Sequence, residues 1–195
     1  MKTRVIILMM TALMCCSSSM LAQKDVTKAR IAQIRKCYAE AQRLAEAGQN
    51  GAKKNFIHVD FHATDPTGYG HRVIDFYFDN TKILEELDIY PCYLVFVRDK
   101  SGDNYTEYLY DKEEGNLIFC YKRIVSQTSV YEERFYFPAE GSEEQVWMME
   151  KTTDAKTKKV TEEKQYYDEG GTYVWVIREA SAVKQAFEGM TVIID

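Results

Sequence analysis

The sequence predicts an α+β domain in which an N-terminal helix packs on a strongly curved antiparallel β-meander of about eight or nine strands. The hydrophobic periodicity changes near Lys54 from a helical pattern to a strand pattern and keeps the strand pattern almost to the C-terminus. Most connections after that point are too short for the crossover helices of a parallel sheet. With 195 residues, 46% of them hydrophobic, the chain can bury one core. We therefore expect a signal peptide over residues 1–22 and one domain over residues 23–195.

The segment from Asp25 to Gln49 predicts the helix. Its apolar residues recur at spacings of three and four and form one stripe. The stripe consists of Ile31, Ile34, Tyr38, Ala41 and Ala45. Asp25 can cap the start of the helix, and Gly48 or Gly51 can end it. A helix with one apolar stripe needs a surface to pack on, and we expect the later strands to supply it.

The rest of the chain alternates in the manner of strands separated by turn signals, such as Asp65 to Gly68 and Gly170-Gly171. The predicted strands cover residues 55–64, 71–79, 90–99, 104–111, 116–125, 131–138, 144–152, 158–168 and 172–178. The longer link over residues 80–88 predicts a helical turn, residues 180–187 predict a short helix, and residues 191–194 predict a last strand.

Several strands are apolar on both faces, notably those that contain Tyr93 to Val97 and Leu117 to Tyr121. A strand that is covered on one side alternates, so the middle of this sheet must be covered twice. One helix of about 25 residues is roughly 37 Å long and cannot cover so many flat strands. We therefore expect the sheet to curve around the N-terminal helix or to close partly on itself.

The first 22 residues predict an export signal. Two basic residues precede the apolar run Val5 to Met14, which is too short to span a bilayer, and no other segment could cross a membrane. Cleavage is expected after Ala22. The alternative is lipoprotein processing at Cys15 or Cys16, which would anchor the protein to a membrane. The protein is therefore expected in the periplasm, at the cell surface or outside the cell.

The predicted mature chain is acidic. Removal of residues 1–22 leaves 23 Lys+Arg against 30 Asp+Glu, a net charge of −7. That balance argues against nucleic acid or an anionic membrane as the main partner. We expect the partner to be a small molecule, a glycan or another protein.

Three cysteines remain after the predicted cleavage, at positions 37, 92 and 120. An oxidising compartment would permit one disulfide, and Cys92 and Cys120 are the candidates because both lie in strand-like runs. The interpretation we favour is that all three are small buried apolar residues. No Cys-x-x-Cys spacing exists, which excludes zinc-ribbon and thioredoxin-type sites.

All three histidines lie on the first predicted hairpin, where strand alternation places a polar patch on one face. The patch consists of His58, Asp60, His62, His71, Asp75 and Tyr77. If the apolar faces of the two strands meet one core, Asp60 lies opposite Asp75, and His71 lies diagonal to His62. The first five residues of the patch are candidate ligands for a divalent metal such as zinc, and a metal-binding protein or metal-dependent hydrolase is the alternative function. The simpler interpretation is the solvated outer face of a hairpin.

Aromatic side chains carry the function we favour, a non-enzymatic binding or interaction module. The chain has 14 tyrosines, mostly on predicted strands. Exposed Tyr and Trp bind sugars, peptides and partner proteins by stacking and burial. The candidate binding residues are Tyr136, Trp147, Tyr166, Tyr173 and Trp175. The alternative for each is that tyrosine and tryptophan fill half-buried strand faces.

Motifs of common enzyme classes are missing from the chain. It has no Gly-x-Ser-x-Gly, no His-Glu-x-x-His, no phosphate loop and no Gly-x-Gly-x-x-Gly. Adjacent acids such as Glu132-Glu133 point to opposite faces of a strand, so we interpret them as solvated surface and not as glycosidase carboxylates. We lean away from an enzyme and expect no cofactor beyond the divalent metal considered above.

Three segments carry a family resemblance. They are Ile34-Arg35-Lys36-Cys37-Tyr38-Ala39-Glu40-Ala41, Asp75-Phe76-Tyr77-Phe78 and Glu107-Tyr108-Leu109-Tyr110-Asp111. The chain resembles small secreted proteins of unknown function from Bacteroides-type gut bacteria in these segments, and its signal ending in Ala22-Gln23 is also similar to theirs. The resemblance covers about residues 30–125 and implies an exported envelope protein, but it assigns no functional residue.

Overall fold

Eight strands form one antiparallel sheet, with one helix before it and one after it, in a computed structural model that describes residues 28–47, 55–65, 68–80, 92–139, 145–168 and 171–191. The strands are β1 (Phe56–Asp65), β2 (Gly68–Asp79), β3 (Tyr93–Ser101), β4 (Asn104–Tyr110), β5 (Leu117–Val125), β6 (Ser129–Tyr136), β7 (Trp147–Asp154) and β8 (Val160–Tyr167). Helix α1 covers residues 28–47, and helix α2 is Tyr173–Thr191. The predicted α+β class and antiparallel meander are confirmed.

The strand order along the sheet is the order along the chain, so each strand pairs with its sequence neighbours. The β3–β4 turn shows why the connections can be so short: Gly102 has a φ of 59°, which glycine adopts without the steric penalty of a side chain. Within the described residues β1 and β8 do not pair with each other, so the sheet is open. Strong curvature of the sheet stays a prediction.

Helix α1 packs on one face of the sheet, as predicted. Its residues Ile34, Ala41 and Ala45 are buried at 1% exposure or less. They share an apolar cluster with sheet residues, among them Phe96, Leu109 and Phe119. The helix predicted from Asp25 to Gln49 is thus present over residues 28–47, and its predicted ends lie outside the described residues.

Helix α2 packs on the opposite face and corrects the sequence prediction for this segment. The strand predicted over residues 172–178 is wrong, because a continuous helix begins at Tyr173. Val176, Ala180, Val183 and Phe187 are all buried at helical spacing. Aromatic and β-branched residues near Tyr173 favour a strand locally, but burial of this stripe against the sheet outweighs that preference.

Three further predictions concern the short helix, the last strand and the turn after β2. The helix predicted over residues 180–187 is present but starts seven residues earlier, at Tyr173. Thr191, predicted to begin a last strand, is the final residue of α2, and residues 192–195 lie outside the described residues. The predicted turn over residues 80–88 lies outside them beyond Asn80.

Two helices on opposite faces explain the strands that are apolar on both sides. The buried residues of α2 share a second cluster with sheet residues, among them Phe76, Tyr108, Cys120 and Phe135. The Tyr110 hydroxyl donates a hydrogen bond of 2.8 Å to the Ala180 carbonyl and ties α2 to β4. The expected double cover of the sheet is therefore correct, but the second cover is a helix and not the sheet itself.

The three cysteines within the described residues form no disulfide. Cys120 is fully buried in the α2-side cluster, which it shares with the buried residues of α2, and Cys92 packs against that cluster. Cys37 packs against the α1-side cluster, which contains the buried residues of α1. Burial raises the pKa of the Cys120 thiol. The interpretation favoured from the sequence, three buried apolar cysteines, is thus correct for Cys120, whereas Cys37 and Cys92 are only partly buried.

Candidate binding cleft and metal cluster

A cleft of about 710 Å³ opens between α2 and strands β1 to β5. Its helical wall is built from small residues, Ala182, Val183 and Ala186, which leave space above the sheet. Phe76 and Ile74 of β2 line the opposite wall. The two alanines leave room between this side of α2 and the sheet, and Glu179 lines the cleft one turn before Val183.

Two large apolar side chains of the cleft remain in solvent. Phe61 of β1 is 49% exposed and Ile124 of β5 is 38% exposed, and both line the cleft. Alternation along β1 points Phe61 toward the α2 side, as the sequence predicts, but α2 does not cover it. The cleft therefore offers a ligand solvent-exposed apolar surface as well as volume.

Two pairs of polar side chains in the cleft are hydrogen-bonded to each other. Arg72 Nε donates to Asp99 Oδ1 at 2.8 Å, and the Tyr108 hydroxyl donates to Glu179 Oε2 at 3.4 Å. Burial, reinforced by nearby Cys120 and acidic groups, raises the pKa of Tyr108, so its hydroxyl stays protonated. These groups can orient a ligand through hydrogen bonds without releasing a proton.

On the opposite face of the β1–β2 hairpin, Asp60, His62 and His71 form a cluster. Asp60 Oδ1 lies 2.7 Å from His71 Nε2 and 3.2 Å from His62 Nε2. The two imidazole rings stack with centroids 4.7 Å apart and an interplanar angle of 10°. Burial acts to raise the pKa of Asp60, but the hydrogen bond from His71 and the charge of His62 outweigh it and hold that pKa below its ordinary value.

The register of this hairpin corrects the predicted patch. It is shifted by two residues from the predicted pairing, so Asp60 lies opposite Val73, and the predicted opposition of Asp60 and Asp75 is wrong. His58 lies opposite Asp75 instead, with Nδ1 2.6 Å from Oδ1, and His62 lies directly opposite His71. No pair of carboxylates faces each other across these strands.

Tyr77 does not belong to the polar patch. It is 4% exposed and stacks on Phe56, its cross-strand partner, with ring centroids 6.0 Å apart. In the observed register this aromatic pair packs in the apolar cluster that α1 shares with the sheet. The five predicted metal ligands therefore divide into a group of three and the separate pair His58 and Asp75.

The five aromatic residues predicted to bind a ligand do not form one surface. Tyr136 and Trp147 belong to the α1-side cluster. Tyr166, Tyr173 and Trp175 pack in the α2-side cluster, and the Trp175 ring lies 3.9 Å from Lys122 Nζ. Sequence reasoning missed the cleft because its walls depend on where α2 lies.

An ion pair between β3 and β4 accepts a hydrogen bond from α1. Glu107 is 2% exposed and accepts a hydrogen bond of 2.8 Å from Arg98 Nε. It also accepts a hydrogen bond from the Tyr38 hydroxyl of α1. Burial, followed by the charge of Glu107, raises the pKa of Tyr38. This site is structural, since all its groups are satisfied by one another.

Glu132 and Glu133 point to opposite faces of β6, as predicted, but Glu133 is only 8% exposed, so its predicted solvation is wrong. Burial raises the pKa of Glu133; Lys122 opposes that change in part, and Glu150, directly opposite, adds to it. Burial would also raise the pKa of Glu132, but hydrogen bonds from Tyr121 and Lys151 lower it below its ordinary value.

We expect Glu133→Gln to stabilise the protein at pH 7 and Glu132→Gln to destabilise it, each by about 1 kcal/mol. The pKa of Glu133 is raised in the folded state, so its contribution to stability falls as the pH rises above 4.5, the ordinary pKa of glutamate. The pKa of Glu132 is lowered, so its contribution to stability is lost as the pH falls below 4.5. Urea unfolding at pH 7 and at about pH 4 measures both signs. Effects of the same sign at pH 7 would contradict the two environments.

Comparisons with known proteins give no relative from which a function could be transferred. No protein-family model matches the chain, and neither a curated protein nor a solved structure matches it. Neither of the two helices in the described part of the chain has the length and apolarity of a membrane span. The cleft and the cluster of Asp60, His62 and His71 are therefore the features from which a function can be argued, and the resemblance to secreted proteins stays a prediction.

Proposed function

We propose that the protein is an exported, non-enzymatic binding protein whose cleft beside α2 holds a small ligand with an apolar body and polar groups. The observation that carries this proposal is the cleft of about 710 Å³. Binding sites for small molecules typically enclose about 300–1,000 Å³ and combine apolar walls with a few placed polar groups. The cleft has both features.

The exposed apolar residues support a ligand with an apolar body. Phe61 and Ile124 are 49% and 38% exposed, and covering such side chains stabilises a complex in proportion to the apolar area removed from water. Their positions on strands β1 and β5 place them on either side of the cleft mouth. A ligand that spans the cleft can contact both.

The polar lining supports orientation rather than reaction chemistry. Arg72, Asp99, Tyr108 and Glu179 are held in two hydrogen-bonded pairs. No histidine or cysteine is among the cleft-lining residues of the described chain. The histidine cluster lies on the other face of the same hairpin, where it cannot act on a ligand in the cleft.

Export is the second part of the proposal and rests on the sequence alone. The basic residues and apolar run before Ala22 support cleavage between Ala22 and Gln23. Mass spectrometry of the processed protein distinguishes a freely exported protein from a lipid-anchored one. An N-terminus at Gln23 supports the free protein, and a lipid-modified Cys15 or Cys16 supports the anchored protein.

Filling the cleft is expected to weaken ligand binding. Ala186 lies on the cleft wall and is exposed, so Ala186→Trp adds an indole to the cavity without disturbing the core. We expect this variant to bind the dye 8-anilinonaphthalene-1-sulfonate, which has apolar rings and one charged group, at least about tenfold more weakly than the original chain. Fluorescence titration measures the affinity.

The matched control is Gln185→Trp, since Gln185 is an exposed neighbour in α2 that does not line the cleft. It should bind the dye as the original chain does, and circular dichroism should show both variants folded. Equal dye affinity for the two tryptophan variants, or no saturable binding by the original chain, would refute the cleft as the binding site.

A further inference from the structure

We propose that Asp60, His62 and His71 form a binding site for one divalent transition-metal ion, with zinc as the representative ion. One ligand atom from each residue lies within 4.8 Å of the other two. The site is independent of the proposed ligand cleft, because it uses the opposite face of the β1–β2 hairpin.

The present spacing of the ligand atoms is close to that of a zinc site. Zinc binds imidazole nitrogen and carboxylate oxygen at about 2.0–2.2 Å, so two ligands in a tetrahedral site lie about 3.3 Å apart. Asp60 Oδ1 is already 2.7 Å from His71 Nε2 and 3.2 Å from His62 Nε2. A bound ion lies near the plane of each imidazole that ligates it, so one of the two stacked rings has to turn out of the parallel arrangement to admit it.

The strands position the three ligands without help from a loop. His62 and His71 are directly opposite in the β1–β2 register, and Asp60 is two residues from His62 on the same face. Both Nε2 atoms lie beside the same carboxylate oxygen, Asp60 Oδ1. Ligands on paired strands cost little entropy to bring together, since the backbone already fixes their separation.

The ligand set selects the class of metal. Two imidazoles and one carboxylate suit zinc and neighbouring transition ions, whereas calcium and magnesium prefer oxygen ligands alone. The three side chains are 42–55% exposed, which leaves the remaining coordination positions to water. Bound metal would join β1 to β2 and fix the outermost hairpin of the sheet.

His58 lies outside this site and provides the control within the same strand. Its ring contacts Asp75 at 2.6 Å, and it is 51% exposed, similar to His62 and His71. Replacement of any of the three histidines with alanine thus removes an exposed imidazole of the same hairpin. Only two of these replacements remove a proposed ligand.

The test is calorimetric titration of zinc chloride at pH 7.5 into the protein, purified without a histidine tag. We expect one zinc ion per chain with a Kd below about 50 μM, and a rise in Tm of several degrees at saturating zinc. His62→Ala and His71→Ala should each weaken binding by at least about tenfold. His58→Ala should change the affinity by less than about threefold, and calcium should not compete.

Three results would overturn the proposal. They are absence of both heat and a Tm shift for the unsubstituted chain at 1 mM zinc, an equal loss of affinity in His58→Ala, and retention of full zinc affinity in the double variant His62→Ala/His71→Ala. Circular dichroism of each variant establishes that a loss of binding is not a loss of folding, and exposed positions such as these tolerate substitution with small changes in stability.

Discussion

Phe187→Ala is expected to lower the free energy of unfolding by about 3–5 kcal/mol, the range for a large aromatic side chain lost from a packed core. Phe187 is 1% exposed near the C-terminal end of α2. Its ring centroid lies 5.9 Å from that of Phe76 and 5.6 Å from that of Phe78, both on β2. Chemical denaturation followed by circular dichroism measures the loss.

The control for this variant is Ile177→Ala, on the same helix but 40% exposed. It should cost less than about 1 kcal/mol, because a large part of its side chain stays in water in the folded state and its removal leaves no enclosed cavity. A loss below about 1 kcal/mol for Phe187→Ala would mean that α2 does not cover this face of the sheet. The prediction therefore tests the element that the sequence pattern assigns to a strand.

Glu107→Leu is expected to cost about 3 kcal/mol, since it removes one partner of a buried ion pair. Arg98 would lose the carboxylate that its Nε contacts at 2.8 Å, and the Tyr38 hydroxyl would lose its acceptor. The Arg98 side chain is 26% exposed and can regain some hydration, which places the loss at the low end of the usual 3–5 kcal/mol. Urea unfolding at neutral pH measures it.

The double variant Arg98→Leu/Glu107→Leu separates the cost of an unpaired charge from the worth of the pair. It should be more stable than Glu107→Leu alone, because no charge is left buried without a partner. Tyr38→Phe, which removes only one hydrogen bond, should cost about 1 kcal/mol. A single Glu107→Leu variant as stable as the original chain would contradict the buried network.

The strand pattern located all eight strands because alternation and turn residues are local properties. Gly102, for example, marks a turn through its own backbone conformation, without regard to the rest of the chain. Helix α2 was not predictable in the same way from residues 172–178, whose aromatic and β-branched side chains favour a strand. Its signal lies in the wider spacing of Val176, Ala180, Val183 and Phe187, which only a longer window detects.

In the candidate sites, too, local alternation is predictable from the sequence, whereas contacts that depend on tertiary structure are not. Alternation correctly places Asp60, His62 and His71 on one face, but it fixes only the parity of the register. The observed pairing of β1 with β2 stacks Phe56 on Tyr77, and the same pairing decides which polar residues lie opposite one another. The cleft was beyond sequence reasoning, because Phe61 and Ala186 are brought to one cavity only by the tertiary position of α2.

The linear strand order leaves one long side of β1 and one of β8 without a neighbour in the described sheet. Unpaired backbone groups of this kind invite strand addition by a second molecule, which is how open sheets aggregate. Strand β8 carries the consecutive charged residues Glu162, Glu163 and Lys164. Strand β1, at the other edge of the sheet, carries polar residues at alternate positions. Dehydrating those groups opposes intermolecular pairing at both flanks, so the sheet can stay open without recruiting further chains.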